Sequence, residues 1–307
     1  MLANFFSKST PIKVFYLIIV FAIFYFLAVL SSLYYENSFV FWLSKLGVLT
    51  LFIFYVFVGS FINRKNSLTL DNLYAFLLTV LLLASFKQTF FNINFLFSNI
   101  FLLFSFRKIY SLKSGIKTKL KLFDAAIWIG ISALFFEWNS VFLLLVYIGM
   151  FIHQRVSFKN IFIPIVGFIA PIFLFFTYCF YTDSFSIFIQ NFQFRWSFDF
   201  LKYNSIQLLI PFTFLLTVLL WSLIIVTPNI IVISNKLKKS WYILIVHLLL
   251  ALLVVVVSPV KDGSEILFLI FPATIVIANY LPKSKSENFK NLILYLFVGI
   301  AISVYFL

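Results

Sequence analysis

Residues 93–121 read INFLFSNIFLLFSFRKIYSLKSGIKTKLK, and this stretch decides the fold. From Ile93 to Phe106 it is almost wholly apolar and aromatic. From Arg107 to Lys121 it carries six cations (Arg107, Lys108, Lys113, Lys117, Lys119 and Lys121) and no acid. An apolar run ending in a short basic loop marks a membrane span followed by a cytoplasmic connection, because Lys and Arg in short loops stay on that side.

The alternation recurs in both directions. Apolar runs fall at about 14–33, 39–62, 70–86, 93–106, 122–136, 139–152, 161–181, 206–226, 241–257, 266–281 and 292–307, most of them near the length that crosses a hydrocarbon core. Alternate connections hold nearly all of the 23 Lys and Arg, leaving Lys45, Lys87, Arg195, Lys202 and Lys261 on the other side. That poorer side carries most of the acids: Glu36, Glu137, Asp183, Asp199, Asp262 and Glu265. The pattern predicts an all-α polytopic membrane protein with about 11 transmembrane helices, a cytoplasmic amino terminus and the carboxyl terminus outside. Residues 1–307 read as a single integral membrane domain. The first run is too long for the apolar region of a cleaved signal peptide and is expected to remain as a span.

Composition agrees with this reading. Apolar residues make up 64% of the chain and charged residues 10%, with a mean hydropathy of +1.11, well outside the range of soluble domains. The formal charge of +14 is the inner-face bias rather than a nucleic-acid footprint, and it suits anionic lipid headgroups. Membrane lipid is therefore an expected partner and nucleic acid is not. One cysteine, Cys179, excludes an intrachain disulfide. With His153 and His247 far apart in sequence, no metal site is expected. No cofactor is expected either, since Walker, dinucleotide-binding, nucleophile-elbow and HExxH motifs are absent.

Chemistry must then reside on spans or short connections. The runs at 122–136 and 139–152 are short, so their turn, Glu137-Trp138-Asn139, would sit recessed at membrane depth if both fail to cross the full core. A carboxylate there is costly unless paired or wet, which makes Glu137 a functional candidate. The outer segment 182–204 carries Phe185, Phe188, Phe192 and Trp196 at helical spacing, as in an interfacial helix. Residues Phe192 to Phe200 also alternate, as in an extended stretch. Either way Arg195 projects among aromatics at headgroup level, where a guanidinium can grip a phosphate. Ser67, Thr69 and Asp71 suit the N-terminus of the third helix, Asp124 suits that of the fifth, and Pro171 should kink the seventh.

The order Arg107, Lys117–Lys121, Gly130–Ala133, Glu137–Asn139, Arg155–Lys159 and Pro164–Pro171 resembles the middle of the GT-C superfamily of multi-span glycosyltransferases. The run Glu265-Ile-Leu-Phe-Leu-Ile-Phe-Pro272 resembles their late helix entered from the outer face. As a whole the chain is similar to polytopic inner-membrane proteins of Bacteroidota, which implies the bacterial inner membrane. The superfamily resemblance implies attack by an acceptor hydroxyl on a polyprenyl-phosphate sugar at the outer face. The base would be the carboxylate of the first outer loop, here Glu36, with Glu137 as the second catalytic candidate. Arg195 or Lys261 would hold the leaving phosphate. The chain departs from the superfamily in a first outer turn of only a few residues and in Glu where Asp is usual. Two other readings remain: a non-catalytic subunit of an envelope secretion or assembly complex that binds other inner-membrane proteins, and a secondary transporter.

Overall fold

The computed structural model describes residues 1–32, 38–233, 235–284 and 286–307. Helix accounts for 82% of the chain, with no strand among the described residues. Thirteen α-helices are described: α1 (Leu2–Phe6), α2 (Pro11–Leu30), α3 (Phe39–Asn66), α4 (Tyr74–Ser85), α5 (Ile93–Tyr110), α6 (Thr118–Phe135), α7 (Leu143–Ile152), α8 (Phe158–Tyr181), α9 (Phe185–Asn191), α10 (Ile206–Ile233), α11 (Asn235–Val257), α12 (Leu267–Tyr280) and α13 (Glu287–Ser303). Each of the apolar runs falls on a helix. Among the described residues, seven helices are long and apolar enough to cross a membrane.

The chain forms two compact units. Unit 1 comprises residues 1–93, 199–233 and 260–307, and unit 2 comprises residues 94–198 and 234–259.

In unit 1, α4 packs against α2, α3, α12 and α13, and α10 against α12. Both α4 and α12 are apolar on every face. Every residue of α4 except Thr79 is buried, as is 94% of the candidate span that contains α12. Helices of this kind belong inside a bundle. At one end of the unit the short α1 is tied in by polar contacts: Ala3 N donates to Asn291 Oδ1 (2.9 Å) and Tyr74 Oη donates to the Ala3 carbonyl (2.8 Å). The expected caps before α4 are corrected. Ser67 ends α3 in a left-handed conformation, while Asn72 Oδ1 accepts from Tyr74 N (3.1 Å) at the start of α4.

Unit 2 is built on the close pairing of α6 with α8. A Cβ added at Gly130 would lie 2.5 Å from Pro171 Cγ and 2.6 Å from the Phe168 carbonyl oxygen, and one at Gly167 would lie 2.7 Å from the Phe123 carbonyl oxygen. Small residues let two backbones approach where lipid supplies no hydrophobic drive for association. Helix α8 runs through both Pro164 and Pro171, and the Pro171 ring rests on Gly130.

The limbs of the hairpin 122–152 are longer than hydropathy suggests. Helix α6 starts at Thr118, inside the basic segment, and a 3₁₀ stretch, Glu137–Phe142, leads into α7. At about 1.5 Å per α-residue and 2.0 Å per 3₁₀ residue, each limb has a contour of roughly 27 Å. Asn139, in the 3₁₀ stretch, is fully buried. Its amide nitrogen donates to Ser98 Oγ and to Ser132 Oγ (2.7 Å), and Ser132 Oγ donates to the Ser98 carbonyl (2.8 Å). This knot ties α5 and α6 to the turn. Asp124, expected to face the α6 dipole, instead lies in its second turn and pairs with Lys108 at 2.6 Å.

Two consequences are measurable. Gly130→Ala drives a methyl into Pro171 and the Phe168 carbonyl and destabilises by about 1–3 kcal/mol. Gly47→Ala, on α3 with no atom within 4 Å, stabilises by about 0.5–1 kcal/mol by raising helix propensity; denaturant titration in detergent checks both. At the foot of α7, burial first, and then the fields of Lys239, Arg155 and Lys113, lower the His153 pKa from 6.5 to about 4. Between those values the unfolded chain binds a proton that the folded chain refuses. Stability is therefore full above pH 6.5 and falls as pH drops toward 4. His153→Gln flattens that loss in thermal unfolding scans.

Candidate functional site

The sequence candidates divide between the units. Glu36 lies outside the described residues. Glu137 and Arg195 belong to unit 2, and Lys261 to unit 1. Glu137 opens the 3₁₀ stretch before α7 and is half-buried. Arg195 is exposed, and its Nε donates to Gln193 Oε1 (2.8 Å). Its backbone is fixed from the hairpin, since the Trp138 indole donates to the Arg195 carbonyl (2.7 Å) and the Phe194 ring stands edge-on to Trp138 at 5.6 Å. The outer segment answers only in part to the two patterns read in it, since Phe192 and Trp196 lie beyond the helix. Residues Phe185–Asn191 are helical, whereas residues 193–200 lie outside any helix, with Phe194 at φ +43°.

A denser polar constellation stands in unit 1, at the end where α4 and α13 finish and α10 and α12 begin. It grows from the connection Lys261-Asp262-Gly263-Ser264-Glu265. Gly263 takes a left-handed φ of +92° and lies against Leu208, which a Cβ would meet at 2.6 Å. That turn points the Gly263 N–H back at Glu265 Oε2 (2.9 Å). Tyr203 Oη donates to Glu265 Oε1 at 2.6 Å, so both carboxylate oxygens of a fully buried Glu265 are engaged. Burial first, and then the Glu265 and Asp262 charges, push the Tyr203 phenol above its usual range and keep it protonated as a donor. Lys261 is 5% exposed, with its ammonium 4.7 Å from the centre of the Phe200 ring. Burial lowers its pKa, against the opposing pull of Glu265. Asp262 Oδ1 accepts from Ser264 N (2.9 Å) and Ser264 Oγ (2.6 Å), and Asn92 Nδ2 donates to the same hydroxyl (3.3 Å).

In front of this scaffold is a cavity of about 380 Å³, lined by Lys87, Gln88, Lys202, Ser205, Gln207 and Asp262 among others. Lys87 Nζ donates to the Val304 carbonyl (3.2 Å), and burial lowers its pKa as well. Two ammonium groups and one carboxylate around a cavity of that size can hold a phosphate-sized anion and accept a proton beside it. No group of three or more His, Cys, Asp or Glu that could hold a metal ion occurs among the described residues.

Sequence reading marked Lys261 as a phosphate ligand; its ammonium lies against the Phe200 ring, and Lys261 is not among the residues that line the cavity. Lys87, Lys202 and Asp262 were read as sharing one side of the ladder without being brought together, and Tyr203 was missed altogether. The one local signal was the density of charge in residues 261–265, next to a glycine that permits a sharp turn.

No protein-family model, curated protein or solved structure matches the chain.

Tyr203→Phe leaves one oxygen of a buried carboxylate without its donor and destabilises unit 1 by about 1–3 kcal/mol. Glu265→Gln in the Tyr203→Phe background recovers part of that loss, because the charge to be satisfied is gone. Equal stability of the single and double variants in denaturant titration would contradict this account of the carboxylate.

Proposed function

We propose that the chain is an inner-membrane protein whose unit 1 binds a polyprenyl-phosphate sugar in the cavity bordered by Lys87, Lys202 and Asp262, at the outer face. In this reading the chain crosses the bilayer about 11 times, with its amino terminus in the cytoplasm and its carboxyl terminus outside. The observation that carries it is the convergence of two lysines and one carboxylate on a single cavity at the Lys/Arg-poor end of the helices. Lys87 and Lys202 neutralise the phosphate. The sugar then lies beside Asp262, whose free oxygen accepts the proton of an acceptor hydroxyl as that oxygen attacks the anomeric carbon. The bond from anomeric carbon to phosphate oxygen breaks, and its electron pair leaves with the polyprenyl phosphate. Glu36 remains another candidate base, while Glu137 and Arg195 belong to unit 2 and have no assigned part in this step.

The reading as a non-catalytic subunit draws on a different observation. Only 17% of the candidate span on α8 is buried, and Phe162, Val166, Ile169 and Phe173 are exposed along it. An apolar flank of that length suits a partner helix as well as lipid.

Native mass spectrometry of the protein extracted from its own membrane separates the two. The enzyme reading expects a retained polyprenyl-phosphate species, reduced roughly tenfold or more in the Lys87→Gln/Lys202→Gln double variant as two charge-assisted contacts are lost. Asp262→Asn keeps the lipid and abolishes transfer of its sugar. A stoichiometric protein partner with no such lipid overturns the enzyme reading in favour of the subunit.

A further inference from the structure

Where α5 and α7 finish and α6, α8 and α11 begin, unit 2 gathers cations around His153. The charged groups acting on His153 are Lys239 of α11, Arg155 of the turn after α7, and Lys113 of the turn after α5, all positive. His153 is 7% exposed, and its Nε2 has no hydrogen-bond partner among the described residues; the same is true of the buried Nε of Arg155. The Arg155 guanidinium lies against Gly115, which holds a left-handed φ of +70° and where a Cβ would meet it. Asn160 Nδ2 also donates to the Arg155 carbonyl (2.7 Å), fixing the turn. Lys108, on the same side, is already neutralised by Asp124.

Like charges held together with unused donors raise the energy of an empty site, and an anion relieves both costs. We propose that this end of unit 2 binds a phosphate-bearing anion, with Arg155 and His153 donating to its oxygens and Lys113 and Lys239 supplying the field. His153 donates in its neutral form through an Nε2–H. The phosphate belongs either to an acidic phospholipid headgroup, for which basic clusters between helix ends are a common berth, or to a soluble phosphate. The site lies in the other unit from the proposed sugar-lipid cavity and does not depend on it.

Full-length protein in nanodiscs of phosphatidylcholine is compared with the same protein in phosphatidylcholine mixed with phosphatidylglycerol, and in phosphatidylcholine with added inorganic phosphate. Phosphatidylglycerol is expected to raise the unfolding midpoint by about 3 °C or more, by mass action on the folded state. The acid-side loss of stability assigned to His153 should also shrink, because a bound anion offsets the three cations. Arg155→Gln abolishes the rise, whereas Lys290→Gln, on α13 of unit 1, retains it. A rise with inorganic phosphate that is also lost in Arg155→Gln identifies a soluble anion as the ligand. Lys239→Gln gives the same readout should Arg155→Gln fail to fold. No rise in either arm, or an equal rise in wild type, Arg155→Gln and Lys239→Gln, overturns the site.

Discussion

Hydrocarbon offers a polar group no partner, so each one carried into these bundles must find its partner in the chain. That constraint explains the most specific features of both units. In unit 2 it draws Ser98, Ser132 and Asn139 into one buried knot, and the 3₁₀ stretch at Glu137–Phe142 is the backbone shape that brings Asn139 to the two serines. In unit 1 it surrounds the Glu265 carboxylate with a phenol and a backbone N–H, and the left-handed turn at Gly263 supplies the latter. With burial contributing little drive between apolar helices in lipid, close backbone approach must supply the rest, as at Gly130 and Gly167.

The same constraint governs where chemistry can occur. The interior of each bundle is filled by Leu, Ile and Phe, and α12 has no face left for a polar substrate. Lysines, arginines and carboxylates are instead collected at or near helix ends, whereas His247 is buried within α11. At one end of unit 1, Lys87, Lys202 and Asp262 border a cavity, and the adjoining Lys261 and Glu265 of the same connection are buried. Unit 2 presents Lys113, Arg155 and Lys239 around a neutral histidine. The two sites differ in chemistry: the first has a carboxylate able to take a proton, and the second has only cations and so suits a role in binding.

Much of the fold was legible because its signals are local. An apolar run followed by a basic loop reports a helix and its end from a few neighbouring residues, and each run so marked is a helix. Boundaries were less legible. Leu122 looked like a helix start because hydropathy rises there, yet α6 begins at Thr118, since lysines at a membrane end lie comfortably within a helical turn. Ser67, Thr69 and Asp71 had the right chemistry for caps but stood in a longer connection, where Asn72 reaches the first free N–H instead.

The candidate site was only half legible, for a different reason. Tyr203 and Glu265 are far apart in sequence, as are Lys87 and Lys202, and no periodicity relates residues of separate helices. By itself the sequence determined the helical class and the apolar segments, because hydropathy acts along the chain. Only the tertiary structure decided which of the residues at helix ends meet. The packing of α4, α10, α12 and α13 sets the distances between their termini, and those distances make a cavity of three scattered charges and a buried strut of Glu265.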